Sequence, residues 1–298
     1  MFRYDLNLET VIYRDTREQA CYQGDLVRHI SLYTSHMNTT VTETQIVTEK
    51  DISVTTTLKK PTSVLGHYSE DVNIIEIGVD EVGRGPLFGR VYAAAVILPK
   101  HEHKDGCEHD NESENSFDHR LMKDSKKFTS AKKLKEAHDH IVAHCVDYSV
   151  CYESETTIDE INILQATQKA MHKCIDDLIS RNSLNPESTL LLIDGNYFRP
   201  HTLWDKESQS FTCFSHECVK GGDALYSSIA AASILAKVRR DAYINEICDE
   251  HPELDDRYSL RSNKGYGAKK HREGIQEHGI SPWHRKSFGI CKEFAETI

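Results

Sequence analysis

The chain has 298 residues, 38% hydrophobic and 28% charged, with a net charge of −11 at neutral pH. That is enough for one large domain with extensions or two smaller ones, and no run of about 18 apolar residues is present to cross a bilayer. Nine cysteines, an odd number without a CxxC pair, read as reduced thiols and argue against a disulfide framework or a zinc site.

The chain begins MFRYDLNLETVIYRD, which has no apolar core behind a basic start and carries acids that a transit peptide avoids, so an intracellular protein is expected. Residues 1–72 form one compositional unit of unknown role. Their Thr/Val-rich stretch MNTTVTETQIVTEKDISVTTTLKK fits short strands or a poorly ordered linker. A regular α/β rhythm starts at Asn73 and defines a second unit, 73–298. Residues 74–79 and 91–98 are expected as buried strands around a glycine-rich loop. Residues 99–120 hold three Lys/Arg against seven Asp/Glu and read as a solvated insertion; their His and acidic residues lack regular metal-ligand spacing.

Further along, a helix is expected over 130–146, a strand over 148–152 and a longer helix over 158–180. In that helix Ile158, Ile161, Leu164, Met171, Ile175 and Leu178 share one face and are expected in the core. A buried strand at 189–193 leads into Asp194. A strand at 211–214 precedes a helix from about Asp223 to Asp249, and a last helix covers about 268–278. Alternation of this kind favours helices layered on a parallel or mixed sheet. The end of the chain is locally basic, with nine Lys/Arg against four Glu over 257–298, so the overall acidity does not exclude a polyanionic substrate.

Asp80 and Glu81 end the first strand, Asp194 ends a later one, and Asp223 opens a helix after two glycines. Ligands gather at the carboxyl ends of strands in open α/β sheets. Carboxylates meeting there repel one another unless cations neutralise them, and hard oxygen ligands suit Mg²⁺ or Mn²⁺. Two such ions would support phosphodiester hydrolysis. Each acid also has a plainer reading, Asp194 as a turn former and Asp223 as a helix cap. Side chains alternate across a strand, so Asp80 and Glu81 can share a site only through local twist or a backbone contribution. In GRGPLFG, Gly83 and Gly85 would let the main chain approach a sugar or phosphate, with Arg84 clamping phosphate oxygens. The same loop is also readable as a tight turn.

Seven stretches, GVDEVGRGPLFG, VYAAAVIL, LMKDSKKFTSAKK, LLIDGN, KGGDALYSSIAAASILAKVRRD, NKGYGAKKH and GISPWHRKSF, together resemble ribonuclease HII, the type 2 ribonucleases H. The resemblance runs from about Ile77 to Phe288. It implies an α/β, RNase H-like fold with a central mixed sheet flanked by helices, plus a helical C-terminal part. It also implies hydrolysis of the RNA strand of RNA–DNA hybrids and incision 5′ of single ribonucleotides in duplex DNA, leaving 3′-hydroxyl and 5′-phosphate ends. Such an enzyme would serve removal of misincorporated ribonucleotides and RNA primers, as a cytoplasmic monomer with no membrane partner.

By the same resemblance Asp80, Glu81, Asp194 and Asp223 are the catalytic acids that bind two Mg²⁺ or Mn²⁺ ions. Gly83, Arg84 and Gly85 sense the 2′-hydroxyl, and Tyr266 packs on the deoxyribose at the RNA–DNA junction. Lys126, Lys127, Lys237, Lys264, Lys269, Lys270 and Arg285 are candidates to track phosphates without reading sequence; the small residues of 227–233 suit close helix–sheet packing, with Ser233 a substrate-binding candidate near phosphate. Arg90 replaces a proline common in the family, and Ala268 a threonine. Competing readings are a ribonuclease HIII-like hybrid nuclease, whose loop typically lacks the arginine, a silent nucleic-acid-binding homologue, which should have lost an acid, and a DNA-directed nuclease, which needs no 2′-hydroxyl sensor.

Overall fold

A computed structural model of the protein describes residues 64–100, 117–205 and 209–297. The expectations for residues 1–63 and 101–116 lie outside the described residues. Strand β1 (Ile75–Val82) is the central strand of a five-stranded sheet. It pairs antiparallel with β2 (Val91–Ile97), which pairs antiparallel with β3 (Asp147–Glu153). On its other side it runs parallel to β4 (Thr189–Asp194), itself parallel to β7 (Ser215–Val219). β1 and β4 therefore both end at the edge where Asp80, Glu81 and Asp194 sit. No helix among the described residues is long and apolar enough to cross a membrane.

Both faces of the sheet are covered, which is why its inner strands read as unbroken apolar runs. One face packs Ile77, Val79, Ala93, Ala95, Leu191 and Ile193 against Met171, Cys174, Ile175 and Leu178 of α2 (Glu155–Asn182). The opposite face packs Ala94 and Val96 against α3 (Ser227–Glu250) and α1 (Ala131–His144), with Phe117 and Met122 from the intervening segment. The small residues opening α3 let it lie directly on β1. A Cβ on Gly78 would stand 2.2 Å from the backbone carbon of Ser228, so any side chain there would force strand and helix apart. A third cluster joins Phe88, Tyr92 and the end of α3 to α4 (Pro252–Tyr258), α5 (Leu260–Asn263) and α6 (Lys269–His278).

Residues 64–72 belong to this body. Leu65 is inserted between Leu225 and Ser227 by backbone bonds of 2.7 and 2.8 Å, and the buried Glu76 carboxylate accepts from the Tyr68 and Ser69 amides. Leu65 thus bonds to the residues that follow the turn carrying Asp223.

Three sequence expectations are corrected. The stripe on α2 is broken: Asn162 adopts φ 67°, its side chain caps the Gln165 amide at 3.1 Å, and Ile161 and Leu164 are each 36% exposed. A left-handed residue rotates the faces before and after it out of register, so Ile158 joins a separate cluster with Val91 and Ala166. The strand expected at 211–214 is the return arm of a short hairpin, β5 (Thr202–Asp205) with β6 (Ser210–Cys213), and the strand that joins the main sheet is the more polar β7. Finally, Asp223 lies in a single 3-10 turn, Gly222–Ala224, and α3 begins at Ser227.

Candidate active site

Asp80 is 4% exposed, facing α3, where Ser233 donates to it from a hydroxyl that is also 2.9 Å from Ser125 Oγ. The Glu81 amide donates to Asp80 Oδ1 at 2.7 Å, so the neighbouring backbone folds onto the carboxylate. Glu81 turns the other way, yet both acids feel Asp194, which reconciles their alternation with a shared site. The Gly222 amide donates to Asp194 Oδ1 at 2.7 Å, tying the end of β4 to the turn bearing Asp223.

Burial, then repulsion by Glu81 and Asp194, pushes the Asp80 carboxyl well above its ordinary range. Burial raises Glu81 and Asp194 as well, against the pull of Arg84 on Glu81 and of the Gly222 and Asp223 amides on Asp194. Asp223 is pushed up to about 6 by burial and by Asp124 and Asp194. Asp124 is a fifth acid that sequence reasoning passed over, because the DSKK stretch was read through its lysines. Its carboxyl acts on that of Asp223 and so belongs to the same cluster of acids.

The candidate lysines separate into groups. The exposed Lys126 offsets the charge of Glu81, Asp194 and Asp223. Lys127 pairs with Asp124 at 3.7 Å and Lys237 with Asp241 at 2.9 Å. Lys264 directs its amine to Asn245 Oδ1 at 3.2 Å, and Lys269 pairs with Glu273 on the exposed side of α6, where Lys270 also lies.

Arg285 does not track phosphate. It is fully buried, and its guanidinium donates to five carbonyls of one loop: Gly83 (2.6 Å), Arg84 (3.0 Å), Pro86 (2.9 Å), Gly89 (2.8 Å) and Arg90 (3.2 Å). A planar fork with five donors can close such a loop, where an ammonium could reach three acceptors at most. Arg240, also buried, adds Phe88 O, Arg90 O and Lys264 O, coupling the loop to the turn before Tyr266. Gly83 holds φ +95°, and a Cβ there would lie 2.4 Å from Arg240 Nε. With its carbonyls turned inward, the loop leaves the amides of Gly83, Arg84 and Gly85 without an acceptor among the described residues. Tyr266 stands beside them, 46% exposed, with Cε1 3.5 Å from where a Cβ of Gly85 would be. Arg90 lies over the rings of Tyr152 and Tyr243 at 4.0 and 4.4 Å, a cation held by two aromatic faces.

The donor set is all oxygen, and its acids are buried in mutual repulsion, which fits a hard divalent cation. As placed, no group of three or more His, Cys, Asp or Glu side chains among the described residues is gathered closely enough to hold a metal ion. A mixed sheet of this order, with helices on both faces and a helical C-terminal part, is an RNase H-like fold. Over 75% of this chain and 98% of its own, ribonuclease H2 of Pyrococcus horikoshii OT3 superposes with a TM-score of 0.52 at 21% identity. Residues 77–291 match the family model Ribonuclease HII. Ribonuclease HII of Cytophaga hutchinsonii is 41% identical over 226 residues, 76% of this chain and 94% of that protein. The Bacteroides thetaiotaomicron enzyme is 41% identical over 220 residues, 73% and 91% of the two chains. The chain belongs to the ribonuclease HII family: it is a ribonuclease H, an endonuclease of a metal-dependent family that acts on RNA–DNA substrates.

Proposed function

We propose that this enzyme hydrolyses the RNA strand of hybrids and incises duplex DNA 5′ of a single ribonucleotide, using two Mg²⁺ or Mn²⁺ ions. The observation that carries this reading is the juxtaposition of acids that repel one another with a loop whose amides face outward beside an exposed tyrosine. Asp80, Glu81, Asp194 and Asp223 would hold the ions. When bound, these ions supply a water acidified for attack and a counter-charge for the leaving oxygen.

The rest falls to the chain itself. Ser233 and the Glu81 amide hold the Asp80 carboxylate in place, and the Gly222 amide holds Asp194. Lys126 brings positive charge to the rim, where a phosphate must pass the acids. The amides of Gly83, Arg84 and Gly85 offer donors at the short range needed to feel a 2′-hydroxyl, the group that separates RNA from DNA. The Tyr266 ring would lie on the neighbouring sugar, which fits best without a hydroxyl. Intracellular action as a monomer belongs to the same proposal.

The test is incision of a duplex carrying one ribonucleotide, with the ends mapped. Mg²⁺ or Mn²⁺ should yield a cut on the 5′ side of the ribonucleotide with 3′-hydroxyl and 5′-phosphate ends, and chelation should stop it. Incision that persists in chelator, or a cut on the 3′ side, would refute the proposal.

A further inference from the structure

Behind Tyr266 lie two histidines that the mechanism above does not use. His271 is 0% exposed and His284 1%, and their Nε2 atoms are 3.0 Å apart. Each ring has one further partner on its Nδ1 side. His284 Nδ1 is 2.9 Å from the Ser281 amide and 2.8 Å from its hydroxyl, while His271 Nδ1 is 2.9 Å from the Tyr266 carbonyl.

These contacts fix where every proton sits. An amide nitrogen only donates, so His284 Nδ1 must accept, and in a neutral ring its proton then lies on Nε2. That proton points at His271 Nε2, which must accept in turn. The His271 proton is thereby placed on Nδ1, where it meets a carbonyl that can only accept. The bonds run in one direction, Ser281 N–H to His284 to His271 to Tyr266 C=O, and both rings are satisfied without charge. Burial keeps them so, pushing His284 down to about 3 and lowering His271.

The far end of this chain is a turn that needs holding. Lys264 adopts φ 52° and Gly265 φ 81°, so the residue before Gly265 carries a left-handed conformation unfavourable to a side chain. The Tyr266 carbonyl also accepts the Ala268 amide at 2.7 Å. The near end is anchored in the substrate loop: the His284 ring meets Phe88 edge-on at 5.0 Å, and the next residue, Arg285, donates its amide to Leu87 O.

We propose that His271 and His284 are positioning residues, a one-way chain of hydrogen bonds between neutral imidazoles that sets Tyr266 in register with the Gly83–Gly85 loop and so governs selectivity for a lone ribonucleotide. The inference rests on the reading of Tyr266 given above.

The readout is a ratio: kcat/KM on a duplex with one ribonucleotide divided by kcat/KM on a uniform RNA–DNA hybrid. Tyr266→Ala and His271→Leu should each lower it by roughly tenfold, within the range of contact couplings. His271→Asn keeps an N–H near the Nδ1 position and should hold the ratio within about threefold of the wild type. In Tyr266→Ala/His271→Leu the ratio should match that of Tyr266→Ala alone. His284→Asn, which still accepts from Ser281 but cannot reach His271, should behave as His271→Leu. Nitrogen-15 imidazole spectra of the wild type, independent of any variant's folding, should show His271 protonated on Nδ1 and His284 on Nε2. If Tyr266→Ala leaves the ratio unchanged, the reading of Tyr266 fails and takes the inference with it. If Tyr266→Ala lowers the ratio but neither histidine variant does, if the effects add in the double variant, or if the spectra show other tautomers, only the inference is overturned.

Discussion

Asp80→Asn is expected to cut turnover by roughly a thousandfold or more and, in the same protein, to raise the melting temperature measured in chelator. The first effect follows from removing one of the acids proposed to hold the cations. The second follows from the cost of keeping that acid ionised. Asp80 is buried among Glu81 and Asp194, and its carboxyl is displaced well above the ordinary range, so its charged form is penalised in the folded state. An amide of the same shape removes the penalty and can keep the bond to Ser233. Each 1 kcal/mol gained shifts the melting temperature of a body this size by about 2–4 °C.

The pH dependence has a definite sign. A carboxyl whose folded pKa exceeds its unfolded value of about 4 contributes stability that is complete below that value and lost as pH rises through the folded one. For Asp223, pushed up to about 6, the loss falls between about pH 4 and 6. In chelator the advantage of Asp80→Asn or Asp223→Asn over wild type should therefore grow as pH rises from 4 toward 7. Excess Mg²⁺ should stabilise the wild type more than either variant. Thermal melts across this pH range, with and without Mg²⁺, measure all of it; a variant destabilised in chelator would show the acids to be structural.

Arg285→Met should destabilise the fold by about 3–5 kcal/mol, the size seen when one partner of a buried charged network is removed. On a two-state melt this is about 6–20 °C. Four carbonyls, those of Gly83, Arg84, Pro86 and Gly89, would lose their donor at once, and Arg90 would keep only the 3.4 Å bond from Arg240; each buried unpaired carbonyl costs about 1–3 kcal/mol before water reaches it. Arg285→Lys should fall between the two, since it restores charge but at most three donors. Incision at a lone ribonucleotide should suffer in the same order, because the outward amides of the loop depend on the inward carbonyls being held. Guanidinium unfolding together with incision assays checks the series. A methionine variant with wild-type stability would mean that the loop holds its own shape.

Much of the frame was legible because it is written in local patterns. The apolar runs of β1, β2 and β4 are buried on both faces, and their ends, marked by Asp80, Glu81 and Asp194, place the acids at one edge of the sheet. Strand β7 was obscured because its residues are largely exposed or half-buried, so no apolar run announces it. The α2 stripe misled because a side-chain period says nothing of a single left-handed residue at Asn162.

The largest misreading was Arg285. In a basic segment a guanidinium suggests phosphate, and its true acceptors lie about two hundred positions earlier in the chain. Contacts of that separation leave no trace in composition or spacing. Asp124 was missed for a related reason: its carboxyl is only 18% exposed, and the acid it meets, Asp223, is remote in sequence.

The most direct test of the account compares two duplexes identical but for one 2′-hydroxyl, each incubated with the full chain and Mg²⁺ or Mn²⁺. Cleavage confined to the strand carrying that hydroxyl, and lost in Asp194→Asn, is the result expected of acids that activate attack beside a loop that feels the sugar. Equal nicking of the all-DNA duplex, or unimpaired cutting by Asp194→Asn, would contradict it.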